Sequence, residues 1–367
     1  MADDAFRIPP GFCDNGVMNH LILYCRAGYE GECAAEIQAV AAEHGVFGYC
    51  RAKPGTAYVD FVAQDDEALA RFHARLGPLD LVFDRQCIIA GEMLEDLPMS
   101  DRIGPILDRL GDRPVSSVWV ETADTEETKP LLKLCRKLAK PLTRVIETRG
   151  LLSDDPAAPR LHVFMLASDR AWVGFSDPER ASPWPMGIPR LKFPAGAPSR
   201  SALKLEEAIL TFLTPEERAE YLRDGLEGVD LGAAPGGWTW QLVADGLSVV
   251  AIDNGPMDEA LMDTGQVEHR REDGFRFRPE RPVEWMVCDM VENPLRVAEL
   301  AATWLEQGWC RRSIFNLKLP MKRRHQAVEE CREQIRGQLA SAGIPFALDI
   351  KHLYHDRDEV TAYLRRS

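Results

Sequence analysis

The chain has 367 residues, of which 45% are hydrophobic and 28% charged, and its formal net charge is −14 at pH 7. This composition is typical of a globular chain of two or three domains. The excess of acids excludes a surface that binds nucleic acid everywhere, but it leaves room for a local basic face. No apolar run approaches a membrane span, and residues 1–17 lack the basic start and apolar core of a secretory signal. We therefore expect a cytoplasmic protein without membrane contact.

The nine cysteines are scattered, without a Cys-x-x-Cys pair, and several lie in apolar, strand-like runs. Cys25 follows Leu-Ile-Leu-Tyr, and Cys288 follows Trp-Met-Val. This pattern predicts buried, reduced thiols, which suits a cytoplasm. No group of histidines and cysteines has the spacing of metal ligands, so we predict no metal site.

After a loose, proline-containing tail at 1–17, the pattern predicts a ferredoxin-like module over residues 18–92. Apolar strand patterns alternate with two amphipathic helices in the order β-α-β-β-α-β. That order is typical of the ferredoxin-like fold. The predicted strands are 20–26, 46–52, 56–63 and 80–90, and the predicted helices are 28–44 and 66–76.

A second module, of mixed α+β type, is predicted over residues 93–178. Ser100 is the candidate N-cap of its first helix, and Gly111 is expected to end that helix. Pro141 is expected to interrupt a later helical pattern and to divide it into two helices. The predicted helices are 99–111, 125–140 and 142–149, and the predicted strands are 117–121, 160–167 and 171–175.

Six cations recur at three- and four-residue steps near the second of these helices, with no acid between the first and the last. This spacing places them along one helix flank. A solvated helix face is the commoner explanation of such a run. In a chain with 14 more acids than bases, however, the run favours a face that binds a polyanion. The six residues, called the basic stripe below, are Lys129, Lys133, Arg136, Lys137, Lys140 and Arg144.

Residues 179–198 are rich in proline and glycine and predict a linker with little regular structure. Over 199–367, strands and helices alternate, which predicts a doubly wound α/β domain with a mostly parallel sheet. The last two strands are close together along the chain, so the final one is expected to pair antiparallel. The predicted strands are 228–231, 248–252, 285–288, 313–318, 345–350 and 359–365, and the predicted helices open at Ser199 and lie near 238–245, 293–307 and 323–342.

The first strand of this domain runs into the loop Gly232-Ala-Ala-Pro-Gly-Gly237, and a helix is predicted from Trp238 onwards. A strand, a glycine-rich turn and a helix N-terminus bring the backbone close to a ligand. The loop lacks both the Lys-Ser/Thr ending of a P-loop and the Gly-x-Gly-x-x-Gly spacing of dinucleotide sites. An ordinary βα turn is a less favoured alternative for these residues, and the other strand ends decide the interpretation. Trp238 and Trp240 are expected to pack the domain.

Charged residues stand at the ends of nearly all the remaining strands of the domain, at the sheet edge where open α/β folds bind ligands. Asp253 ends the second strand, where an acid can accept hydrogen bonds from both ribose hydroxyls of an adenosine. Asp273 offers a second carboxylate near an adenine amine. Asp289 and Lys318 end two later strands, and Glu359 starts the last one. Together these residues predict an adenosine-containing ligand.

These residues and their surroundings resemble those of a known family. The segment Asp230-Leu-Gly-Ala-Ala-Pro-Gly-Gly-Trp238 resembles the cofactor loop of the FtsJ-type S-adenosylmethionine-dependent ribose 2′-O-methyltransferases. The region 201–204 and three later residues match that family's Lys-Asp-Lys-Glu tetrad in order and context. Longer segments, from about Met18 to the end, resemble the RlmM family of large-subunit rRNA ribose methyltransferases. Those segments include Met-Gly-Ile-Pro-Arg-Leu-Lys-Phe-Pro, Phe-Asn-Leu-Lys-Leu-Pro-Met-Lys and Leu-Tyr-His-Asp-Arg.

The resemblance implies a Rossmann-like methyltransferase domain preceded by the ferredoxin-like module and a THUMP-type RNA-binding domain. The implied reaction is 2′-O-methylation of one cytidine in the peptidyl-transferase region of 23S rRNA, with S-adenosylmethionine as the methyl donor. We expect a monomer that acts on rRNA before subunit assembly is complete. The implied cofactor-binding residues are Ser201, Gly232, Ala234, Pro235, Gly236, Gly237, Asp253, Asp273 and Asp289, and the implied catalytic residues are Lys204, Asp289, Lys318 and Glu359.

Lys318 is the candidate base in this tetrad. Making a free lysine neutral at pH 7 costs roughly 4–5 kcal/mol, and a second cation nearby, Lys204, together with desolvation would lower that cost. Asp289 is expected to orient Lys318, and Glu359 to hold one of the two lysines. In the alternative, Lys318 stays charged and only positions the hydroxyl. Individually, Lys204 could also be a surface lysine and Glu359 an edge-strand charge.

Three other functions remain open at this stage. A non-catalytic RNA-binding assembly factor would keep the fold, but an intact tetrad counts against it. A nicotinamide-dependent oxidoreductase is disfavoured by the missing dinucleotide motif. Base methylation usually uses a nucleophilic cysteine or an Asn-Pro-Pro-Tyr-like loop, and Asn293-Pro294-Leu295 is not one.

Overall fold

The computed structural model describes residues 17–367, and the chain divides into two compact units between Ile188 and Pro189. The predicted tail, apart from Val17, and Cys13 lie outside the described residues. The other eight cysteines form no disulfide, and six of them are buried, as predicted. Among the described residues, no helix is both long and apolar enough to span a bilayer.

The N-terminal unit begins with the predicted β-α-β-β-α-β order, folded as an antiparallel sheet in the strand order β2-β3-β1-β4. Strand β1 is buried along its whole length, which accounts for its largely apolar sequence. The elements are β1 (His20–Cys25), α1 (Glu30–Glu43), β2 (Gly48–Ala52), β3 (Tyr58–Ala63), α2 (Asp66–His73) and β4 (Asp84–Ala90). The ferredoxin-like arrangement is therefore confirmed.

The second module continues the same sheet instead of forming a separate one, in the order β4-β7-β6-β5. The junction is short, with Ile89 and Ala90 opposite Phe175 and Gly174. A side chain at Gly174 would collide with the Ile89 carbonyl, so glycine permits this close approach. The elements are α3 (Ile103–Leu110), β5 (Ser117–Thr122), α4 (Leu131–Thr148), β6 (Arg160–Met165) and β7 (Ala171–Ser176).

Three local predictions in this module are wrong. Helix α4 is continuous through Pro141 instead of breaking into two helices, and residues 125–130 are not helical. Its buried face runs on past the proline through Leu142 and Ile146, and this packing outweighs the lost backbone hydrogen bond. Ser100 does not cap α3. The carboxylate of Asp101 instead accepts from the first N–H groups of that helix, and Gly111 ends it as predicted.

The first part of the predicted linker belongs to the N-terminal unit. Ser182, Met186 and Ile188 are buried there, and a single 3-10 turn spans Pro185–Gly187. The backbone N–H of Met186 donates to the carboxylate of Glu121, on β5 of the same unit. The proline-rich segment therefore lacks regular structure, but three of its first ten residues are buried in the N-terminal unit.

The C-terminal unit is a seven-stranded sheet in the order β10-β9-β8-β11-β12-β14-β13, in which only the pairings of β14 are antiparallel. This topology confirms the predicted doubly wound fold and its antiparallel final strand. The strands are β8 (Glu227–Leu231), β9 (Ser248–Ile252), β10 (Val267–Arg270), β11 (Val283–Cys288), β12 (Cys310–Lys318), β13 (Phe346–Lys351) and β14 (Glu359–Arg366).

Six helices accompany this sheet, and two of them, together with strand β10, are absent from the sequence prediction. The unpredicted helix α6 begins with a capping box between Thr214 and Glu217. Trp238 is buried, and Trp240 packs against the cluster around Ala251, as expected. The helices are α5 (Ala202–Phe212), α6 (Pro215–Tyr221), α7 (Gly237–Ala244), α8 (Glu259–Met262), α9 (Pro294–Glu306) and α10 (Arg324–Ser341).

Candidate active site

Strand register gathers the predicted site residues at one edge of the C-terminal sheet. Cys288 on β11 pairs with Phe315 on β12, so Asp289 emerges beside the last residues of β12. Lys318 lies directly opposite Glu359, because β14 runs antiparallel and starts at the edge where β12 ends. Helix α5 places Lys204 over the same edge. Residues far apart in sequence therefore meet because of strand order and the position of α5.

The four tetrad residues form one ion-pair cluster. Lys318 Nζ donates to Asp289 Oδ1 (2.6 Å), and Lys204 Nζ lies 3.3 Å from Asp289 Oδ2 and 2.5 Å from Glu359 Oε1. The second oxygen of Glu359 is 4.0 Å from Lys318 Nζ. The four side chains are between 8% and 19% exposed, so the cluster is largely shielded but reachable from solvent.

Lys204 is the firmly charged member of this cluster. Burial opposes its charge, but the carboxylates of Asp289 and Glu359 outweigh burial and raise its pKa above the ordinary lysine value. Lys204 therefore stays protonated and holds both carboxylates. The interpretation of Lys204 as a plain surface lysine does not fit these contacts.

Asn316 is a site residue that the sequence analysis did not assign. It is fully buried, and its Nδ2 donates to Asp289 Oδ1 (2.8 Å) while its Oδ1 accepts from the Thr361 hydroxyl (2.8 Å). Asp289 is thereby shared among Asn316 and the two lysines. The available signal was an amide inside the apolar run Ile-Phe-Asn-Leu, where a polar side chain needs a buried partner.

The glycine loop between β8 and α7 is packed tightly against its neighbours. Gly232 and Gly236 have φ values of 80° and 115°, and the Ala234–Pro235 peptide is cis. Side chains at these glycines would collide with Met290 and Leu261, and a side chain at Gly237 would collide with the hydroxyls of Ser199 and Ser201. Glycine is therefore required at these positions for the loop to pack this closely against its neighbours.

Asp253 lies at this loop, as predicted, and helps to shape it. Its Oδ2 accepts from the Ala234 N–H (3.0 Å) and its Oδ1 from the Gly255 N–H (2.7 Å). A carboxylate has about four lone-pair positions, so both oxygens keep capacity for ribose hydroxyls. Ser201 also lies at the loop, with its hydroxyl 2.7 Å from that of Ser199.

Asp273 lies just beyond β10, and 54% of its side chain is exposed. Its Oδ1 accepts from the Phe275 N–H (2.9 Å). The following residue, Gly274, lies against Leu231 and Met290, which places this turn near the start of the glycine loop. The position is compatible with the predicted adenine contact.

A carboxylate beneath the glycine loop has a raised pKa. Asp230, at the end of β8, is buried and accepts from the Thr239 hydroxyl (2.7 Å). Burial raises its pKa to about 7, and the nearby charges of Asp289 and Asp253 act in the same direction. Asp230 is therefore half-protonated near neutral pH.

The loop between β13 and β14 forms another wall of the site. Glu207 on α5 is buried and accepts from the N–H groups of Tyr354 (2.7 Å) and His355 (2.8 Å), and from His355 Nδ1 (2.6 Å). Asp356 is buried in the same loop, and its carboxyl oxygens lie 3.0 Å from the Thr361 hydroxyl oxygen. Burial, with the charges of Glu359 and Glu207, raises the pKa of Asp356 well above its ordinary value.

The basic stripe lies in the N-terminal unit, and all six of its side chains belong to exposed residues. Five are on α4, opposite the buried face formed by Cys135, Leu138, Leu142 and Ile146, while Lys129 precedes the helix and pairs with Glu126. Within the described residues, no group of three or more His, Cys, Asp or Glu side chains is arranged to hold a metal.

Comparisons with known proteins bear on both units. Three family models match the chain: "RlmM ferredoxin-like domain" over 18–88, "Ribosomal RNA large subunit methyltransferase M, N-terminal" over 101–177 and "FtsJ-like methyltransferase" over 197–305. A ribosomal RNA large subunit methyltransferase M from Methylococcus capsulatus is 52% identical, over 94% of this chain and 97% of its own length. The chain belongs to the RlmM family. A second member, from Azoarcus sp., is also 52% identical, with 94% and 95% covered.

Membership in the RlmM family makes the chain an S-adenosylmethionine-dependent methyltransferase of large-subunit ribosomal RNA. The residues at the glycine loop fit that cofactor, because both oxygens of the Asp253 carboxylate, beside the loop backbone, keep capacity to accept from ribose hydroxyls. Among solved structures, Aeropyrum pernix fibrillarin with bound S-adenosyl-L-methionine is 16% identical, with a TM-score of 0.32 over 55% of this chain and 81% of that one. This likeness is too low to support a conclusion about the chain.

Proposed function

We propose that this enzyme methylates the ribose 2′-hydroxyl of a cytidine in the peptidyl-transferase region of 23S rRNA. The observation that carries the proposal is the cluster of Lys204, Asp289, Lys318 and Glu359 beside the glycine loop. Such a cluster can bind and deprotonate an alcohol. A base methyltransferase of the kinds considered above needs a nucleophilic cysteine or an Asn-Pro-Pro-Tyr-like loop, and Cys288 is buried, with burial raising its pKa to about 12.

The proposed mechanism relies on positioning. S-adenosylmethionine, when bound, supplies a methyl group on a positively charged sulfur, already activated for in-line displacement. The residues of the chain must hold the hydroxyl oxygen in line with that carbon and receive its proton. Lys318 is the residue proposed to contact the 2′-hydroxyl. Lys204 is proposed to stay charged, since the pKa of this lysine is raised by two carboxylates.

The arrangement of donors supports Lys318 as the proton acceptor. Lys204 takes the closer contact with Glu359, at 2.5 Å against 4.0 Å for Lys318. Asp289 is shared among Lys204, Lys318 and Asn316, so its charge is divided among three donors. Lys318 is thus held by one close carboxylate, that of Asp289, whereas Lys204 has two. In this scheme Asp289 and Glu359 orient the lysines.

The assignments around the cofactor and the RNA are part of the same proposal. Residues 232–237 would face the methionine part, Asp253 the ribose, Asp273 the adenine and Ser201 the methionine carboxylate. Residues 93–178 would act as a THUMP-type RNA-binding domain through the basic stripe, and residues 199–367 would carry the chemistry. We further propose a cytoplasmic, monomeric enzyme that acts before the large subunit is complete.

The test measures methyl transfer from labelled S-adenosylmethionine to unmodified 23S rRNA. Lys318→Ala should lower kcat by roughly 10²–10⁴-fold, the usual contribution of a general base, while cofactor affinity measured by calorimetry stays within a few fold. Lys53→Ala, at an exposed lysine of the other unit, serves as the matched control. Retained turnover in Lys318→Ala would contradict the proposed role.

Lys318→Arg separates the two roles that the sequence leaves open. A guanidinium keeps the positive charge and can donate to Asp289, but it cannot accept a proton at the assay pH. Inactivity comparable to that of Lys318→Ala is the expected result. Substantial activity in Lys318→Arg would show instead that a charged group suffices to position the hydroxyl.

A further inference from the structure

The loop that follows Lys318 exposes an apolar side chain to solvent. Met321 is 92% exposed, more than any other large hydrophobic residue in the described part of the chain, and it lies three residues after Lys318. Val291, which is 89% exposed, lies two residues after Asp289. The strands that end in these loops, β11 and β12, are neighbours, and each apolar residue lies within three positions along the chain of a member of the Asp289–Lys318 pair.

The same loop is strongly basic. From Lys318 to Gln326 the chain has four lysines and arginines and no acid, in a protein whose net charge is −14. Lys322 and Arg323 are exposed, next to Met321. An exposed methionine beside two cations combines an apolar side chain with positive charge, which suits a polyanion with apolar faces.

The loop is also held in a defined conformation. The N–H of Leu319 donates to the carbonyl of Asp358 (2.7 Å), beside Glu359, and this bond fixes the start of the loop to the site. Leu319 is buried. Arg323 has a φ of 57°, a left-handed backbone conformation that residues other than glycine rarely adopt. Met321 is therefore presented by an anchored turn whose position is tied to that of the tetrad.

The substrate makes this arrangement useful. A ribose whose base is stacked and paired in folded RNA presents its 2′-hydroxyl poorly, so the target nucleotide must leave its stack. Proteins that open stacked nucleic acid insert apolar side chains, methionine among them, between bases. We propose that Met321 enters the base stack next to the target nucleotide and takes the place of the extruded base, while Lys322 and Arg323 contact the flanking phosphates. This inference rests on the proposed function.

The experiment compares variants at one position on unmodified 23S rRNA. Met321→Gln keeps the length of the side chain but makes it polar, and Met321→Leu keeps it apolar. Met321→Gln should lower kcat/KM for RNA by roughly tenfold or more, because unstacking is no longer compensated. Met321→Leu should stay within about threefold of wild type. Cofactor affinity and Tm should be unchanged in both, since Met321 is almost fully exposed.

Phe47→Gln, at an apolar residue that is 61% exposed in the ferredoxin-like module, is the control and should behave as wild type. A fluorescent base analogue placed beside the mapped target nucleotide gives a second readout. Its emission should rise when the wild-type protein binds and should not rise with Met321→Gln. Equal kcat/KM for wild type and Met321→Gln, or equal losses in the Leu and Gln variants, would overturn the inference. Absence of ribose methylation by the wild-type protein would instead contradict the proposed function.

Discussion

Among single residues, Asp230 links the cofactor loop to the stability of the fold. Its burial raises the pKa to about 7, so between about pH 4 and pH 7 the folded state holds a proton that the unfolded state has lost. Under the linkage relation, this contribution to stability is present at acid pH and is lost as the pH rises through 7. A carboxyl that destabilises the fold at neutral pH is unusual in a core, and it lies directly under the glycine loop.

Asp230→Asn should therefore stabilise the protein more at pH 8 than at pH 5. The amide can still accept from Thr239, but it never ionises. The difference between the two pH values in the change of unfolding free energy should be on the order of 2–3 kcal/mol. Urea unfolding at both pH values measures it, with the exposed Asp263→Asn as the control for net charge. An equal effect of Asp230→Asn at pH 5 and pH 8 would refute the argument.

The charged site residues could be predicted from the sequence, because acids and lysines at the ends of apolar strands leave a visible pattern. Asp289, Lys318 and Glu359 each stand at such an end. Asn316 and Glu207 could not be assigned in the same way. The role of Asn316 depends on the register of β11 against β12, and that of Glu207 on a loop about 150 residues further along the chain.

At the scale of elements, the loop between β13 and β14 is fixed to α5 by one carboxylate. Glu207→Gln would leave one acceptor oxygen where three N–H donors now bind two. The loss of buried, charged hydrogen bonds should lower the free energy of unfolding by about 1–3 kcal/mol. It should also lower kcat, because this loop leads into Glu359, while cofactor affinity should change little.

Glu206→Gln is the matched control for this prediction, since Glu206 is the neighbouring glutamate on α5. It should leave both stability and kcat near wild type. Chemical unfolding and methyl-transfer assays on the two variants give the comparison. A Glu207→Gln enzyme as active and as stable as Glu206→Gln would show that the loop does not depend on this carboxylate.

The basic stripe on α4 makes a second prediction at this scale. Replacing Lys133, Arg136 and Lys137 by Glu should weaken RNA binding and reduce the slope of log affinity against log salt by about 0.7–0.9 per lost phosphate contact. Lys53, Arg71 and Arg75, replaced by Glu, change the net charge equally at exposed positions of the same unit. Equal binding and equal salt slopes in the two triple variants would make the stripe an ordinary solvated face.

The errors in predicting elements also have physical causes. Pro141 is a strong local signal for a helix end, but the apolar residues on either side of it continue one buried stripe, and tertiary packing prevails. Strand β10 has only four residues and lies at a sheet edge, so its apolar alternation is too short to detect. The capping box of α6 is visible as Thr-Pro-Glu-Glu, but the helix behind it buries none of its residues.

At the scale of the whole molecule, the sequence predicted the two architectures correctly but separated the first two modules too sharply. Both the ferredoxin-like and the doubly wound patterns arise from local periodicity and element order, which a single sequence displays. The shared sheet of the N-terminal unit depends on two residue pairs, Ile89–Phe175 and Ala90–Gly174, which no periodicity reveals.

The proposed timing gives a prediction for the complete enzyme and its substrate. If the RNA-binding module must reach rRNA that ribosomal proteins later cover, unmodified naked 23S rRNA should be methylated faster than RNA within unmodified, fully assembled large subunits. Initial rates on the two substrates at equal rRNA concentration make the comparison. Equal rates would contradict action before assembly is complete, while leaving the chemistry of the site unaffected.

We propose that this chain transfers a methyl group to one ribose of 23S rRNA through Lys318. Mass-spectrometric mapping of 2′-O-methyl groups in rRNA tests it most directly, using a strain that lacks the protein and the same strain complemented with wild-type or Lys318→Ala protein. We expect one cytidine 2′-O-methyl group of the peptidyl-transferase region to be missing, and to return with the wild-type protein only. An unchanged ribose methylation map, the loss of a base methyl group instead, or full restoration by Lys318→Ala would contradict the claim.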